Sequence, residues 1–246
     1  MSAQKNAPYQ PIDDLTAQAY RSLRRMIIDG EMPPKTRLSH RVLATQLGIG
    51  RSPVRDALLQ LEAEGLIEHR RCSGIYLREI TPHELECIYE LRIVNEPYAA
   101  QKAAQFANAK HLASLRVICD AITEISKTPR LEEWFESLEN RRRFCRLDMD
   151  FHATVLEASG NTIAIKMFGN AQILVLTFAW DLGYGNPAWF AGMAIRTATR
   201  HQAIFDAIRN RDPEGARMAM QEHVVWAMRE VPEHYAALRE AQTPME

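Results

Sequence analysis

The chain has 246 residues, with 30 Lys and Arg against 31 Asp and Glu and a formal net charge of -1, enough length for two domains and a sizeable core. No apolar run approaches the roughly 18 residues that span a bilayer, which excludes a membrane-spanning reading. Cys72, Cys87, Cys119 and Cys145 lack paired CxxC spacing and follow no signal peptide, so reduced thiols and a cytoplasmic location are expected.

The near-neutral total conceals an asymmetry. Residues 1–78 hold 12 Lys and Arg against 8 Asp and Glu, and the remainder holds 18 against 23. Charge attractive to phosphate is concentrated in the first third.

Met1 to Pro11 is expected to fray. Leu15 to Asp29 then carries Tyr20, Leu23 and Ile27 at helical spacing and stops at Gly30. Leu38 to Gln46 reads as a short helix capped by Ser39, with Val42, Leu43 and Leu47 as its buried face. Gly48 turns the chain. Ser52 as N-cap and Pro53 in the first turn start the next helix, with Val54, Ala57, Leu58 and Leu61 on one apolar stripe and Gly65 as its stop. Arg51 and Arg55 lie at the entrance of that helix and off the stripe, free to face a partner. This is helix-turn-helix spacing. Ile67 to His69 and Ile75 to Leu77 read as two short strands around Cys72-Ser73-Gly74, a wing with Arg70 and Arg71 at its tip.

Residues 12–78 resemble the DNA-binding domain of the GntR family of bacterial transcription regulators. The likeness runs through Gly30, Pro34, Leu38, Leu43-Ala44, Leu47-Gly48, Arg51, Pro53-Val54-Arg55, Ala57-Leu58, Leu61 and Glu64-Gly65-Leu66. Three positions depart from it: Lys35 where the family usually has glycine, His40 where it has glutamate, and Gly50 where serine or threonine is common. The resemblance implies that Arg41, Arg51, Ser52 and Arg55 contact DNA, with Arg71 near the minor groove or backbone. Arginine suits the task because its planar fork takes guanine O6 and N7 together, worth about 1 to 3 kcal/mol against a wrong base.

From residue 81 the pattern is helical. Thr81-Pro82-His83-Glu84 is a capping box with proline at the first helical position, launching a helix to about Ala107. Asn108, Thr128-Pro129, Ser159-Gly160-Asn161, Gly183 to Pro187 and Asp212-Pro213 divide the rest. The expectation is a mainly α chain: a winged helix-turn-helix with a two-stranded wing, then an all-α bundle of six or seven helices over 81–235. Ala241 to Glu246 is expected to fray. Arg141-Arg142-Arg143 reads as a solvated face or interdomain contact, and Trp180, Trp189, Phe190 and Trp226 as core and pocket wall.

Four bundle residues are spaced as metal ligands. Asp148 and His152 are i and i+4 on one helix, so both project from one face. His201 and His223 each lie eleven residues from Asp212. If Asp212-Pro213 turns between antiparallel helices, both return to the same height, about 16 Å from the turn at a rise of roughly 1.5 Å per residue. Spacing alone leaves this even against unrelated core and surface histidines. Three imidazoles and a carboxylate suit a borderline divalent cation, zinc first, with nickel, cobalt, iron or manganese as alternatives.

Asp148 to His152, Ser159-Gly160-Asn161 and His201 through Asp212 to His223 resemble the FCD domain, the helical ligand-binding part of the FadR branch of that family. In metal-binding members an aspartate and three histidines at these positions hold the ion, and a small carboxylate effector binds at or beside it. The effectors known across the branch include hydroxy acids, sugar acids, dicarboxylates, aromatic acids and acyl compounds. Arg92 matches an arginine common near the start of the domain, placed to clamp an effector carboxylate, although Glu96 four residues on offers an intrahelical ion pair instead. Asn161 serves an effector or water, or caps a helix.

The sequence therefore reads as a metabolite-responsive DNA-binding regulator: a homodimer on a near-palindromic operator, its repression released by a carboxylate bound near the ion. The alternatives are a metal-dependent hydrolase or lyase using the Asp/His3 set, and a DNA-binding protein that senses nothing. No motif commits a general base beside the four ligands, which counts against the enzyme.

Overall fold

The computed structural model describes residues 12–32, 35–165 and 186–242. The chain divides between Arg78 and Glu79 into two compact units. Pro34, Trp180 and the stretches 1–11, 183–185 and 243–246, on which expectations were placed, lie outside the described residues. Ala241 and Gln242 close the last helix.

In the first unit, α1 (Ile12–Ile28) buries Ala19, Leu23 and Ile27, and Gly30 at φ 69° ends it. The Tyr20 hydroxyl donates to Glu64 Oε1 at 2.8 Å and ties α1 to the end of the third helix. Helix α2 (His40–Leu47) closes on Gly48 at φ 66°, a left-handed conformation that costs glycine little. Helix α3 (Arg51–Ala63) buries Pro53, Val54, Ala57, Leu58 and Leu61. It ends in a paired arrangement: the Gly65 N–H donates to the Glu62 carbonyl and the Leu66 N–H to the Leu61 carbonyl, both at 2.9 Å.

Three details differ from the sequence reading. Helix α3 begins two residues early, with Gly50 as N-cap at φ -60°, ψ 154° and no side-chain cap; Ser52 lies inside the first turn, because an extended Gly50 already supplies the backbone geometry a cap requires. Val42 is 61% exposed, since the eight residues of α2 bury only Leu43 and Ala44. The wing has a third strand. β1 (Arg37–Leu38) pairs with β3 (Gly74–Leu77), which pairs with β2 (Ile67–Arg70), giving the antiparallel order β1-β3-β2. The register sets Leu38 opposite Ile75 and Ile67 opposite Leu77, and all four are buried.

The second unit is helical. The Thr81 capping box forms as read, with the Thr81 side chain accepting from the Glu84 N–H and the Glu84 carboxylate accepting from the Thr81 N–H, and opens α4 (Pro82–Phe106). Asn108 caps α5 (Ala109–Ser126). A short α6 (Leu131–Trp134) precedes α7 (Leu138–Ala158), and Asn161 caps a turn at 162–165. Asn186, followed by Pro187, caps α8 (Pro187–Arg209), and Asp212-Pro213 leads into α9 (Pro213–Gln242). Helix α4 packs on α9 and α7, and α5 on α7 and α8. Phe135 anchors the core, edge-on to Phe144 and stacked on Phe190, each with centroids 5.6 Å apart. Arg143 is exposed, while Arg141 and Arg142 are half-buried. No described helix is long and apolar enough to cross a membrane.

Candidate functional site

Two sets of side chains stand out, one in each unit. In the first unit, the buried stripe of α3 faces the core and thereby turns Arg51, Ser52 and Arg55 to the exposed side. Arg55 holds Asp56 Oδ1 at 3.2 Å through Nε and Nη2, a surface pair of little energy that a phosphate or a base edge can displace. Arg41 is exposed on α2. At the wing tip Cys72 adopts φ 57°, and Arg71 is exposed beside it. Arg70 is held otherwise: its Nε donates to Glu68 at 2.8 Å and its guanidinium lies 4.5 Å over the Tyr76 ring. Gly50 leaves the amino end of α3 without a side-chain cap, so open backbone N–H groups lie beside Arg51.

In the second unit, α7 supplies Asp148 and His152, α8 supplies His201 and α9 supplies His223. The turn at Asp212, whose Oδ1 accepts from the Gly215 N–H at 2.9 Å, returns α9 along α8. His201 Nε2 and His223 Nε2 thereby meet at 3.3 Å. His152 Nε2 is 3.1 Å from His223 Nε2, and Asp148 Oδ1 is 3.4 Å from His201 Nε2. One ligand atom from each of the four lies within 4.8 Å of the others.

All three imidazoles are at most 2% exposed. Burial, and then the neighbouring imidazoles, hold His201 and His223 well below the ordinary histidine range, so they are neutral near pH 7 with lone pairs to donate. Asp148 keeps 29% of its side-chain exposure, yet withdrawal from water pushes its carboxyl up. Three Nε2 atoms and a carboxylate oxygen this close cannot all be satisfied by shared protons, whereas a cation satisfies all four. The residues present fit a borderline divalent ion, and no thiolate joins them.

Arg92 and Glu96, one turn apart on α4, complete the surroundings. Arg92 Nε donates to Glu96 Oε1 at 2.6 Å and Nη2 to Oε2 at 3.4 Å, with both side chains at most 8% exposed. Glu96 Oε2 lies 2.7 Å from His152 Nδ1. Burial would raise the Glu96 carboxyl, but Arg92 and His152 outweigh it and hold the group far below the usual range. The Arg92 guanidinium lies 4.8 Å over Tyr89, whose phenol is pushed up to about 12 by burial.

Of the two residues assigned to an effector, Arg92 is thus engaged by Glu96. Asn161 Oδ1 accepts from the N–H groups of Ile163 and Ala164 as a helix cap. The sequence reading treated Glu96 only as a competitor for Arg92 and missed its approach to His152. Phe151 stacks on His201 at 3.8 Å, and Trp226 lies 5.9 Å from His223. Trp189 stacks on His234, and Phe190 is core.

Residues 15–77 match the model of bacterial regulatory proteins of the gntR family, and residues 87–225 match the model of the FCD domain. The chain is 26% identical over 236 residues to the Uxu operon transcriptional regulator of Escherichia coli strain K12, covering 91% of this chain and 85% of the relative. It is 28% identical over 198 residues to a probable D-xylose utilization operon transcriptional repressor of Paenarthrobacter nicotinovorans, covering 80% of each. Among solved structures, E. coli McbR/YncC superposes with a TM-score of 0.69 at 20% identity, covering 88% of this chain and 97% of that one, which is a likeness of fold.

Proposed function

This chain belongs to the GntR family of bacterial regulatory proteins and carries an FCD domain, and from that premise we propose that it is an operator-binding repressor whose hold on DNA is set by a small carboxylate taken up at a divalent ion in the helical unit. The family consists of DNA-binding transcriptional regulators, not enzymes, and the Paenarthrobacter nicotinovorans relative is a probable operon repressor. The convergence of Asp148, His152, His201 and His223 within 4.8 Å carries the sensing part of the proposal.

Arg41, Arg51, Ser52, Arg55 and Arg71 are the residues we assign to DNA. The two α3 arginines enter the groove with the amino end of that helix, and Arg41 and Arg71 hold the backbone on either side. A homodimer would present two such readers to a near-palindromic operator.

Asp148, His152, His201 and His223 would hold the ion, which supplies a positive centre for an anionic ligand. Zinc is the first choice for this donor set, with nickel, cobalt, iron and manganese next. Ligands must be deprotonated to hold the ion, so with three imidazoles and the Asp148 carboxylate bound, and Glu96 offset by Arg92, a divalent ion would leave one net positive charge, which suits a single carboxylate. Arg92 contributes to this field while its hydrogen bonds remain with Glu96. For the ligand to regulate, it must bind the DNA-competent and DNA-incompetent arrangements with different affinity.

The test is a thermal-shift screen of hydroxy acids, sugar acids and dicarboxylates on ion-loaded and chelated protein. A ligand that binds only the folded state stabilises by about 2.7 kcal/mol at a hundredfold excess over Kd. A shift that vanishes on chelation supports the proposal. Chelation that lowers Tm while no carboxylate shifts the loaded protein would leave a structural ion and a DNA-binding protein that senses nothing there.

A further inference from the structure

The three imidazoles of the cluster are not equivalent at their outer nitrogens. His152, His201 and His223 each have a buried Nδ1 with no aligned hydrogen bond among the described residues. His152 differs in what stands beside that nitrogen: Glu96 Oε2 lies 2.7 Å away, with the ring N–H direction off the line between them. A lone pair on Nδ1 would face an anionic oxygen at close range, so the contact favours a proton on Nδ1, and an ion held by this imidazole would then take Nε2.

Glu96 is itself fixed. Arg92, one turn earlier on α4, grips both of its carboxylate oxygens, and the two side chains are at most 8% exposed. The contact also crosses between elements, since Glu96 is on α4 and His152 on α7, and these helices pack together. Glu96 thus stands outside the four-residue cluster and touches one of its members at the outer ring nitrogen.

We propose that Glu96, clamped by Arg92, is a positioning residue that fixes His152 with its Nε2 lone pair available to the ion, so that ion affinity depends on a carboxylate outside the ligand set. The inference rests on the reading of the cluster as a divalent-ion site. Carboxylates that orient ligating histidines commonly change metal affinity 10- to 100-fold when removed.

The alternative is that Glu96 serves only to neutralise Arg92. Glu96→Gln alone does not separate the two, because it strands a buried guanidinium and can unfold the unit. The double variant Arg92→Gln/Glu96→Gln removes both charges together and keeps a hydrogen-bonding side chain at each position, isosteric at 96 and shorter at 92, so no buried charge is left unpaired and the ion-free fold should persist. Two measurements on the full-length protein then decide: zinc affinity by competition with a chelator of known strength, and the tautomer of His152 from long-range proton–nitrogen spectra of the zinc-free protein. The expected result is a double variant with near-native Tm without zinc, about 10- to 100-fold weaker zinc binding, and a His152 proton no longer confined to Nδ1. Native zinc affinity and an unchanged tautomer in the double variant would overturn the inference while leaving the ion site intact. A wild-type protein that takes up no zinc or other borderline divalent ion would overturn the ion-site reading and this inference with it.

Discussion

Arg55 and Arg92 are the same residue type in opposite circumstances. Arg55 keeps 61% of its side-chain exposure and holds only a neighbouring surface aspartate, whereas Arg92 keeps 8% and has Nε and Nη2 committed to Glu96. The first retains hydrogen-bonding capacity for a partner that arrives later. The second has spent that capacity inside the fold and acts on its surroundings through charge and position. An arginine in a regulatory protein is therefore not a ligand clamp by type; what decides is how many of its five donors the folded chain leaves free.

The largest expected effect that would break this contrast is on stability. Arg92→Ala leaves Glu96 buried with half its partners, and should destabilise the helical unit by about 3 to 5 kcal/mol, measured by denaturant unfolding. If Arg92 were instead a free clamp, the loss would fall on ligand binding and leave unfolding unchanged. Next in size, Arg51→Ala or Arg55→Ala should each weaken specific operator binding by about 1 to 3 kcal/mol. Anisotropy of a labelled operator measures this, and calorimetry should find Tm and carboxylate binding unaltered.

A pH titration sharpens the buried side of the comparison. His201 and His223 are held neutral in the folded state, so the unfolded chain binds more protons once pH falls below about 6.5, their ordinary value. The ion-free protein should lose Tm as pH drops through that range, and His223→Gln should flatten the slope. Glu96 adds a second, more acidic window, because a carboxyl depressed in the fold gives up its stabilisation only below its ordinary value near 4.5.

The smallest effect concerns Lys35, which adopts φ 66° at the position where the resembled family usually has glycine. Lys35→Gly should stabilise the DNA-reading unit by up to about 1 kcal/mol by relieving a left-handed lysine, offset in part by the greater freedom of glycine in the unfolded chain. A small rise in the denaturation midpoint would report it.

Local chemistry made much of this architecture legible. Thr81 and Glu84 wrote a capping box that forms in the fold, and Gly48 and Gly65 sit at positive φ where turns were read. Equal spacing of His201 and His223 from Asp212 anticipated that they would meet, since a tight turn between helices makes height a matter of counting. What failed was non-local or lacked a side-chain signal. Arg37–Leu38 is a strand only because Tyr76 and Ile75 pair with it. Gly50 caps α3 through backbone conformation, so Ser52 drew the assignment. The approach of Glu96 to His152 depends on how α4 and α7 pack, which no spacing along either helix encodes.

The central claim is that ligand uptake among Asp148, His152, His201 and His223 changes the hold of the arginine face on DNA. Its most direct test is operator affinity of the ion-loaded protein, by anisotropy at fixed salt, with and without a carboxylate found in the thermal-shift screen, beside His201→Ala. The account predicts a change of about 5- to 150-fold in the native protein, the usual span of allosteric coupling, and little or none in His201→Ala. An equal response in both proteins, or an affinity indifferent to a carboxylate that demonstrably binds, would contradict it.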